Sequence, residues 1–514
     1  MVLTAVPPLR IATAIVIAMS LTACAKVPFD GPRTPSYALT AANTSSDAVS
    51  RAVSAQTGSQ SAYFELTNGT DALGARLRMI ESAQHSIDIA TFLIKPDTAS
   101  GILTHRLFDA ANRGVRVRLL VDDVFTTADD TDLAVLDTHP NIEIRIFNPS
   151  SRNAPKSMGF LWDFKRVNRR MHIKTFVVDN DMAIIGGRNF ADEYYELKPT
   201  EVFADYDLAV FGPEAAEINP IFDTYWNDTY AVPVANLRAK SAPQPPQISL
   251  SDWAYDPDSP EVVAYTKAIN APYLQDISNR KVAPFRGTSR IIADPPQKLR
   301  NPDGKGPHVL GEAFFAAIGE AKSQVTLISP YFVPEDYGAR FYANLARSGV
   351  KVRIVTNSLA STNHAYVHGG YARHRADLLT AGVELYELRH DSIAALNLTD
   401  QDSPPHITLH TKLAIIDNSS VLVGSLNLDP RSIKINAEIG LLVDSPAYAR
   451  SMLASIEANL ADFAYRVTAT ETGLLWTHQP KTIVPTVVTK DPDAGLWRRF
   501  MSVLPQWFGL EGLT

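Results

Sequence analysis

The chain has 514 residues, 45% of them hydrophobic, with 48 Lys and Arg against 55 Asp and Glu and a formal net charge of -7. That length accommodates two or three globular domains, and the acidic balance lacks the basic footprint of a nucleic-acid-binding protein. A single cysteine excludes an internal disulfide framework and any cysteine-based metal centre.

The chain opens with Arg10, an apolar run from Ile11 to Met19, and then Leu21-Thr22-Ala23-Cys24. The run is too short to span a bilayer of roughly 30 Å. It reads as a bacterial lipoprotein signal over 1–23 with Cys24 as the lipidated residue, so acyl chains would anchor the mature protein to a membrane. Ala25 follows in place of an Asp, which resembles the sorting signal for the periplasmic face of an outer membrane. Residues 24–60 are rich in Ala, Ser, Thr, Pro and Gln, which predicts a disordered tether.

Residues 61–240 read as a first α/β unit. An amphipathic helix begins near Asp71 (Leu73, Leu77, Met79, Ile80) and is followed by a strand from Ser86 to Ile94. A helix from Ile102 to Asn112, a strand from Val115 to Val121, a helix from Asp130 to Leu136 and a strand from Ile142 to Phe147 continue the β-α-β alternation. The segment from Asn153 to Met171 holds Lys156, Lys165, Arg166, Arg169 and Arg170. It is either a solvated loop or a basic lip that gathers anionic headgroups.

At His172-Ile173-Lys174 begins a pattern of the form H-x-K-x4-D-x6-G-[GS]-x-N, with Asp179 and Asn189 as its later members. It is written again at His410-Thr411-Lys412, with Asp417 and Asn427. Each copy reads as a β-hairpin turning at a polar pair, Asn180-Asp181 or Asn418-Ser419. A turn centred on those pairs sets His172 opposite Asn189 and His410 opposite Asn427. One imidazole, one ammonium and one carboxamide together suit a phosphate diester: a nucleophile or acid beside groups that neutralise oxygens. Asp179 and Asp417 fall at the turns, away from the histidines, and read as structural.

Residues 241–305 read as a connecting segment, with some helix from Glu261 to Ile269. The second α/β unit, 306–470, repeats the element order of the first. Pro96 and Pro334 stand 238 residues apart, as do His172 and His410, so two homologous halves form the simplest fold, with one functional site where they meet. Aligning Leu208-Ala209-Val210 with Leu441-Leu442-Val443 sets Asp205 opposite Glu438. A reactive imidazole needs an acceptor on its other nitrogen. Glu438 is the candidate for His410 and Asp205 the candidate for His172, with Asp207 as an alternative. The tail, 471–514, carries Leu496-Trp497-Arg498-Arg499-Phe500, and either closes the core or faces a membrane interface.

The paired motif resembles the signature of the phospholipase D superfamily, and the chain from about 61 onward resembles bacterial cardiolipin synthases of the C type, including Arg169-Arg170-Met171-His172 and the Trp-Arg-Arg-Phe tail. Where that family more often has Gly-Ser, the first copy has Gly187 opposite Ser425 in the second. The resemblance implies a pseudo-twofold α/β fold of two α-β-α halves. It also implies a phosphohistidine mechanism, with His172 as nucleophile and His410 as acid/base, and the order of the two left open. Lys174, Lys412, Asn189 and Asn427 would hold the phosphate oxygens. Two lysines supply the charge a metal would, so neither metal nor cofactor is expected. The implied substrates are membrane phospholipids, phosphatidylglycerol and phosphatidylethanolamine among them. The acceptor is a lipid alcohol in a phosphatidyl transferase, or water in a phospholipase D or phosphodiesterase.

Overall fold

The computed structural model describes residues 27–39, 60–152, 155–237, 258–301, 305–392, 405–481 and 484–508. The proposed signal peptide and Cys24 lie outside these residues. Two large mixed sheets hold the chain together. In the first, six strands stand in the order Asp207–Phe211, Met182–Gly186, Thr175–Val178, Ser86–Thr91, Arg116–Asp122, Ile142–Phe147. In the second, Ile439–Asp444, Ser420–Gly424, Leu413–Ile416, Gln324–Ile328, Lys351–Asn357 and Glu384–Leu388 stand in the same order. The chain is thus two homologous α-β-α halves.

Strand alternation explains how the halves pack. Phe176, Val178, Met182 and Ile184 point outward to a core with Leu73, Leu77 and Leu103 from helices Gly69–Ser82 and Thr98–Asn112. Val177, Ala183 and Ile185 point the other way, into a core shared with Ile415, Val421, Leu441 and Val443 of the second half. That second half covers its own outer face with helices Val309–Gly319 and Glu335–Arg347. The inner faces of both sheets therefore meet in one apolar seam, where Tyr206 and Tyr448 share a hydroxyl hydrogen bond of 2.6 Å.

Two expectations need correction. Residues 27–39 of the expected tether are bound along the first half: Arg118 Nη1 donates to Ser36 O (2.9 Å), Arg116 Nη1 to Tyr37 O (2.8 Å) and Arg145 Nη2 to Thr34 O (2.6 Å). Composition read this stretch as disordered because its anchors are backbone carbonyls, which any sequence possesses. The connecting segment carries its expected helix, Pro260–Ile269, and also extends both sheets. Phe285–Arg286 adds to the edge of the first sheet and Thr288–Ala293 to the edge of the second. The hairpin loops have three residues and centre on Asn180 and Asn418, half a residue earlier than expected, which shifts each cross-strand partner by one. Asp179 and Asn180 (φ 50° and 56°), and Asp417 and Asn418 (φ 50° and 54°), take the left-handed positions that Asp and Asn tolerate best. Val178 therefore pairs with Met182 and Ile416 with Ser420, and neither histidine lies opposite an asparagine in a ladder.

Those turns also fasten each hairpin to its sheet. Asp179 accepts hydrogen bonds from the backbone N–H groups of Gln84, His85 and Ser86, and Asp417 from those of Lys322, Ser323 and Gln324, all between 2.7 and 3.1 Å. Burial raises the Asp417 pKa slightly, but these donors outweigh it and hold the carboxyl below its usual range. Its stabilisation is therefore complete above the ordinary carboxylate pKa and is lost as the pH falls through the depressed value. Replacing Asp417 with Ala should cost roughly 2 kcal/mol, read as a lowered urea midpoint at neutral pH, with the difference from the parent shrinking in acid.

Candidate active site

Two backbone bridges between the halves build the site. Met171 forms a parallel bridge with Ala437, in which His172 N donates to Ala437 O (2.9 Å) and Ala437 N to Arg170 O (3.0 Å). Related to it, His406–Leu409 runs parallel to Glu201–Ala204, and His410 N donates to Ala204 O (2.8 Å). The residue after each bridge is a carboxylate. Glu438 Oε2 lies 2.8 Å from His172 Nδ1, and Asp205 Oδ2 lies 2.6 Å from His410 Nδ1.

Each imidazole is thus held by the carboxylate of the other half. The sequence reading had paired Asp205 with His172 and Glu438 with His410; the structure reverses both. The strand alignment that set Asp205 opposite Glu438 holds, but each of these segments leaves its own sheet to pair across the seam. Asp207 serves neither histidine: it accepts from Arg76 Nη2 (2.9 Å) and Arg188 N (3.3 Å).

With Nδ1 occupied, Nε2 is the nitrogen left to react. Lys174 Nζ donates to His172 O (2.9 Å) and stands 5.0 Å from the Phe92 ring centroid. Lys412 Nζ lies 2.9 Å from His410 Nδ1 and 3.2 Å from its Nε2, and also reaches His410 O. All four side chains are buried. Asn189 and Asn427 are not equivalent. Asn189 is engaged at both ends of its amide, by Phe92 N (3.2 Å) and Tyr194 Oη (2.8 Å), whereas buried Asn427 has an Oδ1 with no hydrogen-bond partner.

The departure at Gly187 also has a structural cause. A Cβ there would stand 2.2 Å from Asp205 Oδ1, so the short carboxylate occupies the space of a serine side chain. In the other copy Ser425 Oγ donates to Glu438 Oε2 (2.5 Å) and Ser432 Oγ to Oε1 (2.7 Å). The two carboxylates consequently differ. Burial pushes Glu438 up to about 7, with Lys174 and the two hydroxyls opposing. Asp205 is also raised by burial, but His410 and Lys412 hold it at about 2. Burial, and then the lysines, drive His172 well below its ordinary value and His410 to about 3. Burial lowers Lys174 to about 7 and Lys412 to about 8.

Several contributors escaped the sequence reading. Phe92 meets the His172 ring edge-on at 4.7 Å, while Tyr194 and Phe203 flank His410 at 5.2 and 5.3 Å. Arg431 donates to Asn168 Oδ1 (2.5 Å) and Asn168 O (2.9 Å) across the seam, and its charge further lowers His172. In the repeat register Arg431 stands where the first half has Glu193, a sign reversal that comparing the two copies would have exposed. The two groups of His and carboxylate atoms near enough to hold a cation, His368/Glu387/Asp491 and His390/Asp391/Asp493, both lie outside this site among the described residues. In the first of them Arg375 already supplies a cation, 2.9 Å from Glu387 and 2.8 Å from Asp491. Two nitrogen nucleophiles or acids beside two ammonium groups form a cluster suited to displacing one oxygen substituent of an anionic diester by another.

Comparison with known proteins identifies the family. The family model described as cardiolipin synthase, PLD-like domain, matches residues 77–226 and again 314–460. Cardiolipin synthase C of Escherichia coli (strain K12) is 34% identical over 460 residues, covering 87% of this chain and 96% of that protein. Cardiolipin synthase 1 of Bacillus cereus is 25% identical over 381 residues, covering 73% and 61%. Among solved structures, phosphatidylserine synthase of Haemophilus influenzae Rd KW20 superposes with a TM-score of 0.56 at 12% identity over 90% of this chain and 97% of that one, a likeness of fold.

A reaction that needs both lysines charged should slow as the pH rises through 7 to 8, the values to which burial brings Lys174 and Lys412. Arginine stays protonated, so Lys174→Arg should move the alkaline limb of kcat/KM upward by about one pH unit, at a reduced maximum. A pH profile on a soluble phosphodiester checks this; an unmoved limb would contradict it.

Proposed function

We propose that this chain, which belongs to the PLD-like cardiolipin synthase family, transfers a phosphatidyl group from one phospholipid to the glycerol hydroxyl of phosphatidylglycerol. The observation that carries this reading is the crossed pair of buried imidazoles, with two lysines close enough to act on them electrostatically. A hydroxyl-bearing lipid as acceptor follows from the similarity to the cardiolipin synthases.

His172 Nε2 attacks phosphorus, forming an N–P bond as the P–O bond to the departing alcohol breaks. His410 Nε2 gives that alkoxide its proton, later takes the proton of the incoming hydroxyl, and the new P–O bond displaces His172. The carboxylates support this division. Asp205 is firmly anionic and supports an imidazolium at His410, whereas the charge of Glu438 is shared with two hydroxyls and leaves His172 neutral. Arrival of an anionic diester offsets Lys412 and raises the His410 pKa toward the working range. Lys174, Lys412 and the Nδ2 group of Asn427 would hold the non-bridging oxygens as charge builds there, while the Asn189 amide orients the Phe92 and Tyr194 walls.

The exchange of one phosphodiester for another uses no nucleotide, which fits work outside the cytoplasm at a membrane to which lipidated Cys24 would bind the protein. Phosphatidylglycerol and phosphatidylethanolamine are the proposed donors, and the periplasmic face of the outer membrane is the proposed location. Incubating purified protein with vesicles of phosphatidylglycerol alone, then with added phosphatidylethanolamine, and separating the lipids should yield cardiolipin. His172→Ala should lower that yield by at least about 10³-fold. Phosphatidic acid as the sole product would replace the transferase with a hydrolase.

A further inference from the structure

We propose that residues 159–167, together with Phe125, form a docking lip that inserts apolar side chains into the bilayer surface beside the active-site mouth. This rests on a phospholipid substrate. Two short helices, Gly159–Trp162 and Phe164–Val167, stand just before Asn168 and His172. Leu161 is 78% exposed, Trp162 38% and Phe164 42%, and Phe125, on the neighbouring loop, is 49% exposed. Large apolar groups clustered this way mark an interaction surface.

The base of the lip is fixed while its tip is bare. Lys156 Nζ donates to Asp123 O (3.3 Å) and Thr126 O (3.0 Å), and Asn148 Nδ2 donates to Arg166 O (3.0 Å) and Arg169 O (2.8 Å). The patch is continuous with the chemistry. Phe125 lies 5.3 Å from Phe92, and Phe92 lies 4.7 Å from His172. An apolar surface joined to the mouth of a lipid-handling pocket has a bilayer as its fitting occupant.

Most cations of this segment are turned to partners within the fold rather than outward as a basic lip would require, and Lys165 alone among the described ones is exposed. Arg166 pairs with Asp163 (2.6 Å), Arg152 with Asp123 (2.7 Å) and Arg170 with Asp122 (3.1 Å). Across the seam the C-terminal helix Leu496–Phe508 shows the same division: Leu496 and Trp497 are exposed, while Arg498 donates inward to Thr362 O (2.6 Å) and Arg499 to Asp491 O (2.6 Å). Docking is therefore chiefly by insertion of aliphatic and aromatic groups, and with a single exposed cation in the lip it depends little on salt or on the charge of the lipid.

The test uses the full chain reconstituted in phosphatidylcholine vesicles whose acyl chains carry bromine, a quencher of tryptophan emission. Subtracting the emission of Trp162→Phe from that of the parent isolates Trp162. The expected difference spectrum is blue-shifted and strongly quenched, unchanged by anionic lipid and by about 1 M salt, where the Debye length is about 3 Å. An unquenched Trp162, or one already blue-shifted without vesicles because a second copy covers it, would overturn the proposal. A Leu161→Ser/Phe164→Ser variant should lose about tenfold in turnover of vesicle lipid and keep turnover of a dissolved short-chain lipid. Equal losses on both substrates would assign the segment to the pocket itself and overturn docking. If no lipid is turned over by the parent, the functional reading fails while the quenching result still decides the lip.

Discussion

The structure depends on a carboxylate being handed across an interface to a buried imidazole. A carboxylate removed from water costs several kcal/mol unless it is paired and hydrogen-bonded. Neither Asp205 nor Glu438 has a histidine of its own half to satisfy it. Each finds one only when the two sheets close face to face, so packing the apolar seam and completing the site are one event. The bridges Met171 to Ala437 and Leu409 to Ala204 set the alignment of that event residue by residue. Around them Arg431 clamps Asn168, while Lys298 neutralises Asp294, whose carboxylate accepts from Glu438 N.

Pseudo-symmetry then allows the two copies to differ where the chemistry differs. A long carboxylate with two serine donors faces His172, and a short one packed on glycine faces His410. Substituting one arrangement for the other changes which imidazole is supported as a cation, without altering backbone or motif. The same licence appears at Arg431 and Glu193, and at Asn427 and Asn189, where one member of each pair is engaged by the fold of the first half.

Much of this was legible in the sequence because it is local. The 238-residue repeat, the strand and helix order and the His-x-Lys pairs follow from periodicity and spacing within short windows. Asp205 and Glu438 were identifiable as partners because each precedes an alignable strand. Which histidine each serves was not, since that depends on parallel pairing between segments some 200 residues or more apart, and such contacts leave no period. The hairpin register failed for a narrower reason: three consecutive turn residues all tolerate polar loops, and only the preference of Asp and Asn for positive φ selects Asp179-Asn180 over Asn180-Asp181. Residues 27–39 were misread because buried arginines, not their own side chains, hold them in place.

Crossed pairing is tested most directly by leaving-group dependence. Diesters with increasingly acidic alcohols need progressively less help from a general acid, so loss of that acid is rescued by a good leaving group and loss of the nucleophile is not. The dependence is measured for His172→Ala, His410→Ala, Asp205→Asn and Glu438→Gln on the same series. Crossed pairing predicts that Asp205→Asn shares the leaving-group slope of His410→Ala and that Glu438→Gln shares that of His172→Ala; the opposite grouping would contradict it.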